Sequence, residues 1–313
     1  MKNTLKDLNV YLHGGQKKAL NTLVEENSMI GSIPMKPASH GLYHVYNKTS
    51  NIDELQEVDF DEELPTVGIS FELGRTRLGK IGGTLAIPQD AAAQMGGYRA
   101  YVDERMPQII AKAGNAQETR IYYKGFIKRT LETKNYVSCG GTTPNKQFSM
   151  VAVHWDEDST TGLYNNKDLS NGKIFVQSPL NGGNLVKVKD LKWALGKEIA
   201  CWIQFGLLLA DERYVKAIVN IEPKQNANDR DKIDGLPTGM MVDDLITAVR
   251  GNPANTAIYC HPALHRMLGL KFNLEKKVFT DKETNVSYTI SHWLDIPFIT
   301  SHNIAWGAEA VIA

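Results

Sequence analysis

Three stretches of this sequence carry residue types at spacings that chemistry can use. Gly74-Arg75-Thr76-Arg77-Leu78-Gly79-Lys80-Ile81 nearly spells a phosphate-binding loop. That loop needs a hydroxyl after its lysine to ligate magnesium, and a helix N-terminus facing the phosphates. Ile81 stands where the hydroxyl belongs, and Gly82-Gly83 and Pro88 oppose an immediate helix. The stretch therefore reads as a flexible basic loop tip, with Arg75, Arg77 and Lys80 as contacts for an acidic partner. Cys260-His261 with His265 places two imidazoles four apart at a helix start beside a thiol, a ligand set that zinc uses. No fourth ligand is evident nearby, so the group reads as a packed helix start. Asp156-Glu157-Asp158 follows Trp155 and could pose as paired carboxylates for acid–base work. The three are consecutive and run into Ser159, Thr160 and Thr161, which favours a solvated turn. His154 reads as a half-buried strand histidine. No GxSxG or HExxH pattern occurs, and no GxGxxG follows a strand. The sequence thus predicts no catalytic, cofactor-binding or metal-binding residue and no cofactor. A metal-dependent enzyme built on the Cys260 group is the minor alternative.

The acidic run Asp53 to Glu63 (DELQEVDFDEE) reads first as a solvated face. Its functional alternative is a contact between subunits, with Asp59, Asp61 and Glu62 facing Arg75, Arg77 and Lys80 of a neighbour. Charge reversal at Arg75 and Arg77 should then weaken assembly more than folding. The chain as a whole is neutral, with 35 basic and 35 acidic residues among 313. A nucleic-acid binder driven by charge normally shows a basic excess. Neutrality also removes the self-repulsion that opposes dense assembly. The cysteines, Cys139, Cys201 and Cys260, are odd in number and far apart, so they read as free thiols in a reducing compartment. The N-terminus has no apolar secretory core. The longest apolar run, Ile199 to Ala210, falls short of the about 20 residues that a membrane span needs. A cytoplasmic site of production and no membrane partner are expected.

The elements that must position these residues follow from periodicity. Residues 1–38 read as an arm, with an amphipathic helix from Gln16 to Glu26 and breakers at Gly31, Pro34 and Pro37. Deleting residues 1–30 should abolish assembly while leaving much of the fold. Strands near His40–Tyr46 and Val67–Phe71 flank the acidic run and suggest a projecting loop, 39–87. A helical region opens at Pro88. A long amphipathic helix runs on to Tyr123, interrupted or bent at Gly96-Gly97, Pro107 and Gly114. Strands are predicted at Phe148–His154, Trp193–Ile199, Cys201–Leu209 and Tyr214–Ile221. A helix over 238–249 and a strand over 257–260 follow, then a helix from Pro262, a hairpin over 278–290 and a strand-like end, 296–312. The order has no regular β–α alternation, so the class is α+β.

From Phe148 onward the residues resemble a known family. Val151-Ala152-Val153-His154-Trp155 and Gly162-Leu163-Tyr164 come first. They are followed by Trp202-Ile203-Gln204-Phe205-Gly206-Leu207, Asp211-Glu212-Arg213-Tyr214-Val215 and Asn220-Ile221. This order is similar to the podovirus-type major capsid proteins of tailed phages. Leu64-Pro65-Thr66-Val67, Tyr122-Tyr123-Lys124-Gly125, Asp295-Ile296-Pro297 and Glu309-Ala310-Val311 extend the likeness. The stretch Tyr164-Asn165-Asn166-Lys167 departs from the family's Tyr-Pro-Lys-Gly turn.

The resemblance implies the Hong Kong 97 type capsid fold. It implies an N-terminal arm (1–38), an extended β loop (39–87), and a mainly peripheral domain (88–225) with a spine helix over about 90–123. A mainly axial domain (226–313) would return strands to the peripheral one. Tyr122–Gly125 would be the turn after the spine helix. The implied function is a major capsid protein that forms pentamers and hexamers in an icosahedral virion shell around double-stranded DNA. Assembly would occur in the host cytoplasm, with portal and possibly scaffold or cement proteins as partners. An encapsulin-like compartment shell is the alternative with the same fold.

Overall fold

The computed structural model describes residues 4, 12, 15–52, 68–171, 173, 175–188, 194–225, 233–272, 274–280 and 287–312. In chain order the elements begin with α1 (Gly15–Glu26), α2 (Ser28–Ser32), β1 (Met35–Pro37), β2 (Tyr43–Ile52), β3 (Ile69–Arg77) and β4 (Gly79–Pro88). Helices α3 (Gln89–Gln94) and α4 (Tyr98–Thr119) come next, then a π-helical segment (Arg120–Ile127) and α5 (Lys128–Glu132). The chain continues through β5 (Tyr136–Ser138), β6 (Phe148–His154), β7 (Thr160–Tyr164), α6 (Asn166–Ser170), β8 (Phe175–Pro179), β9 (Val186–Val188) and β10 (Ala194–Leu209). It then forms β11 (Val215–Ile221), β12 (Lys224–Gln225), β13 (Ile233–Asp234), α7 (Gly239–Ala248), β14 (Thr256–Cys260) and α8 (Pro262–Phe272). It closes with β15 (Glu275–Thr280), β16 (Ser287–Trp293) and β17 (Ile296–Thr300).

The predicted bend at Gly96-Gly97 is a true break, because both residues hold left-handed φ values of +84° and +120° and end α3 before α4 begins. Pro107 and Gly114 do not interrupt α4. The helix does not stop near Tyr123, as its periodicity suggested. Residues at the junctions keep right-handed helical angles, so one rod runs from Tyr98 to Glu132 through the π-helical segment. Tyr122–Gly125 therefore lies inside the rod and is not a turn. Two buried rings explain the continuation: Tyr122 and Phe126 are both fully buried and, four residues apart, lie on one face.

This rod is shared between two sheets. A six-stranded sheet is built on β10, which pairs β4 along one edge and β7, β8 and β9 along the other, with β1 outside β7. Cys201, Ile203 and Phe205 alternate toward the rod and are almost fully buried. The seven-stranded sheet runs β15-β16-β17-β14-β6-β11-β5. Both faces of its centre are covered. Val151, Val153, Ala217, Val219 and Tyr259 face the rod, while Met150, Ala152, Ile218, Ile258 and Cys260 face α7 and α8. That two-sided burial explains why Phe148–Val153 is buried at every position. The predicted strand at the chain end is real only over β17. Beyond Thr300 the backbone turns, and it returns to the sheet through a single bridge, Gln147 with Glu309.

The N-terminal helix forms as its period predicts, with Leu20, Leu23 and Val24 buried. Its partner is α4 of the same chain. Leu12, Met29, Ile30 and Ile33 join them in the main core. The expectation that most of the fold survives loss of residues 1–30 is therefore corrected: these side chains are part of the core, not appended to it. A buried carboxylate locks the arrangement. Glu118 on α4 is 1% exposed and accepts the backbone amides of Met29 (2.8 Å) and Ile30 (3.0 Å), the Asn303 side-chain amide (2.8 Å) and the Ser301 hydroxyl. It joins α2, the spine and the post-β17 segment at one point. Glu309 does similar work about one turn further along the rod, accepting from Tyr123 Oη (2.8 Å) and Ser149 Oγ (2.9 Å). Burial holds its carboxyl above the usual range.

Close backbone approach decides one glycine. A Cβ on Gly82 would lie 2.0 Å from the Cys201 carbonyl oxygen and 2.6 Å from Trp202 Cβ, because Gly82 of β4 pairs directly with Trp202 of β10. Gly82→Ala should lower the unfolding free energy by about 1–3 kcal/mol, the usual range for forced overpacking. A urea midpoint equal to that of the parent chain would contradict this close approach.

Candidate inter-subunit surface

The extended loop is a two-stranded antiparallel ribbon, β2 with β3, paired from Tyr43↔Arg77 at its root to Ile52↔Ile69. Neither strand joins another sheet. At Leu78 the chain leaves the ribbon and enters β4. Leu78 is 7% exposed and packs with Ala38, Leu163, Leu208 and Ala210, while its amide donates to Leu42 O at 2.9 Å. Gly74–Ile81 is therefore a strand-to-strand corner and not a flexible loop tip. The apolar Leu78 anchors it, where the basic residues alone had suggested a free turn. Its two glycines have separate steric reasons. A Cβ on Gly74 would strike the Tyr46 ring at 2.3 Å, and one on Gly79 would lie 1.4 Å from Arg120 Nη1.

The corner distributes its three cations. The Arg75 guanidinium lies 3.8 Å from the Tyr43 ring centroid, and the Lys80 ammonium lies 3.7 Å from that of Trp202. Such contacts are worth about 0.5–1 kcal/mol at exposed sites. They hold both charges on the surface of the corner. Arg77 instead lines a groove of about 370 Å³. One wall of the groove is the ribbon root, the other is the rod from Gln117 to Glu132, and the floor is β10 from Phe205 to Leu209. Arg120, Lys124, Lys128 and Arg129 all belong to the rod wall. Lys128 pairs with Glu132 at 3.6 Å and Arg129 with Glu212 at 3.3 Å. Arg77, Arg120 and Lys124 have no carboxylate partner among the described residues. Sequence reasoning identified Arg77 but missed the helical cations. Their spacing along the rod looks like an ordinary solvated face, and no local signal shows that the ribbon root folds back beside them. The acidic candidates Asp59, Asp61 and Glu62 lie outside the described residues.

The other sequence candidates stay apart from this groove. Cys260 is fully buried, and burial pushes its thiol up to about 12. His261 Nδ1 accepts the Ala263 amide at 3.0 Å and so caps α8, while its ring stacks parallel to Trp306. Burial lowers the pKa of His261, and His302 beside it adds to the shift. Among the described residues no cluster of three or more His, Cys, Asp or Glu side chains could hold a metal ion. Asp156 accepts from the Ser159 amide (3.0 Å) and hydroxyl (2.7 Å), an ordinary turn. His154 lies against Tyr214 and shares a 3.2 Å hydrogen bond with Thr256 Oγ1. No described helix is long and apolar enough to cross a membrane.

Comparison with known proteins gives these features a context. The chain is similar to the structure of bacteriophage Epsilon15 at 16% identity, covering 90% of this chain and 88% of that one with a TM-score of 0.54. The bacteriophage JBD30 capsid aligns over 75% of this chain and 79% of its own, at 8% identity and a TM-score of 0.45. The SrpI encapsulin complex of Synechococcus elongatus aligns over 64% and 89%, at 9% identity and a TM-score of 0.43. A search of curated proteins finds no match. At these identities the likeness concerns the fold, which is the Hong Kong 97 type. The sequence itself carries the family assignment, because the family model for major capsid protein GP7 matches residues 113–312, from the middle of α4 to the end of the chain. With the rod, both sheets and the groove wall inside or against that match, the chain belongs to the major capsid protein GP7 family.

Proposed function

We propose that this capsid protein assembles as pentamers and hexamers into the icosahedral shell of a tailed phage, around its double-stranded DNA. The β2–β3 ribbon carries this reading. It is a two-stranded sheet standing outside both main sheets, with Leu73 at 77% exposure. An isolated two-stranded ribbon is marginal in water and gains stability by lying on a third surface. In a closed shell that surface is a neighbouring copy, through the heterologous contact that rotation repeats into rings. Arg75, Arg77 and Lys80 at the ribbon root are the proposed contact residues on this chain, facing acidic residues of the neighbour. The reading assigns the protein to the virion after assembly in the host cytoplasm. Its role is structural and not enzymatic, with portal and possibly scaffold or cement proteins as further partners.

Negative-stain electron microscopy with sedimentation velocity on the purified chain tests this. Polyhedral shells or capsomer rings support it, and double-stranded DNA inside particles from infected cells completes it. A species that stays monomeric or dimeric at high concentration refutes assembly, and shells filled with cargo protein point to a compartment instead.

A further inference from the structure

We propose that the turn leading from the six-stranded sheet into the ribbon is an acid-sensitive latch, held shut by neutral His44 and released when that imidazole gains a proton. The inference goes beyond the shell reading. It concerns the single chain and holds whether or not shells form.

The latch sits where the chain crosses between two sheets. β1 ends at Pro37 in the six-stranded sheet and β2 begins at Tyr43 in the ribbon, so residues 38–42 are the crossing. One end is fixed by the Ala38 amide, which donates to Tyr164 O at 2.9 Å, and the other by the pairing of β2 with β3. Ser39 closes the turn between them. Its amide donates to His44 Nδ1 at 3.2 Å, and its hydroxyl oxygen accepts the Val45 amide at 3.0 Å. Gly41 permits the reversal with a left-handed φ of +75°.

His44 is placed so that one proton breaks this closure. A backbone amide can only donate, so Nδ1 must offer a lone pair, and the neutral ring carries its hydrogen on Nε2. The next proton therefore enters at Nδ1, the atom that holds Ser39. The Ser39 N–H then faces another N–H, and the hydrogen bond is lost. His44 is 8% exposed, so the new charge also has little access to water.

The surroundings oppose that charge. Lys36 on β1 and His40 in the turn repel it, and Asp158 between β6 and β7 attracts it. Asp158 is hydrogen-bonded to Lys36 at 2.8 Å, which holds its carboxyl below the usual range and keeps it ionised. Thr76, the partner of His44 on β3, is uncharged, and the stem of Lys167 lies against Gly41. Burial first, then Lys36 and His40, hold the His44 pKa below the ordinary 6.5. The latch is therefore complete above about pH 6.5 and is lost as pH falls through the lower value of the folded chain.

Hydrogen–deuterium exchange of the full chain between pH 7.5 and pH 4.5, corrected for intrinsic exchange, tests the proposal. Protection of residues 38–46 should fall by about tenfold, the size expected for the loss of one hydrogen bond. The rod contains no histidine and should hold its protection. It is the proper reference, because His261 caps α8 and its pKa is also lowered by burial. His44→Asn puts an uncharged acceptor in place of Nδ1 and should keep the turn closed throughout. Lys36→Met keeps the apolar stem, removes the cation and frees Asp158, so the midpoint should move to higher pH. His40→Asn should retain the fall.

Constant protection in the parent chain overturns the latch. So does a fall that persists in His44→Asn, a midpoint that Lys36→Met leaves in place, or a fall that disappears in His40→Asn. The Lys36 and His40 variants leave the Nδ1 acceptor intact, so they decide the matter even where His44→Asn does not fold.

Discussion

Removal of residues 1–30 is expected to give an unfolded or aggregated chain, not a folded monomer that merely fails to assemble. The deletion strips Leu12, Leu20, Leu23, Met29 and Ile30 from the core, and each of these is at most 1% exposed. Fully burying such a side chain contributes roughly 1.5–3 kcal/mol. Five of them contribute on the order of 10 kcal/mol, an upper estimate because denatured chains already bury some of this surface. Domains of ordinary stability have only about 5–15 kcal/mol in total. The deletion also uncovers Ile110 and Ala113 of α4 and leaves Glu118 without its two amide donors. Far-UV circular dichroism and urea unfolding of the truncated chain check this. A cooperative transition close to that of the full chain would show that α1 and α2 are dispensable to the fold.

Glu118→Ala should be the most damaging single change on the rod. It removes the acceptor of four hydrogen bonds, three of them buried, and leaves the Met29 and Ile30 amides and the Ser301 hydroxyl to be satisfied elsewhere. Leaving a buried donor unmet costs about 1–3 kcal/mol each, and some relaxation is available, so a loss of roughly 3–5 kcal/mol is expected. Glu118→Gln should recover only part, because one side-chain oxygen replaces two. Glu132→Ala is the control. Its 3.6 Å pair with Lys128 is more than half exposed on both sides, and exposed pairs contribute about 0.5 kcal/mol or less. Urea midpoints of the three variants decide the matter. A loss at Glu118 no larger than that at Glu132 would mean that the buried network adds nothing to stability.

Much of this architecture was legible because its signals are local. The three-to-four residue period of Leu20, Leu23 and Val24 marks α1, and the density of strand-forming residues from Cys201 to Leu209 marks β10. Thr238 followed by an apolar stripe marks α7, whose N-cap hydrogen bond from Met241 is present at 3.3 Å. The family likeness rested mainly on residues of β6, β7, β10 and β11, all inside the family match. Among the local readings that failed, two have identifiable reasons. The basic corner at Gly74–Ile81 looked flexible because glycine and charge signal a loop, whereas those glycines clear the way for the Tyr46 ring and the Arg120 head. The rod outran its predicted end because the burial of Tyr122 and Phe126 depends on sheets that follow later in the chain.

The sequence by itself determined the fold class, the elements with a clear period, and the family. Those follow from side-chain spacing and residue type, which neighbouring positions already contain. Only the tertiary structure decided that the first helices belong to the core, that Glu118 ties three distant segments together, and that Arg77 shares a groove with Arg120 and Lys124. Those are contacts between residues about 40 to 180 positions apart. Chain closure brings them together, and no local pattern encodes which face of a helix will meet which strand.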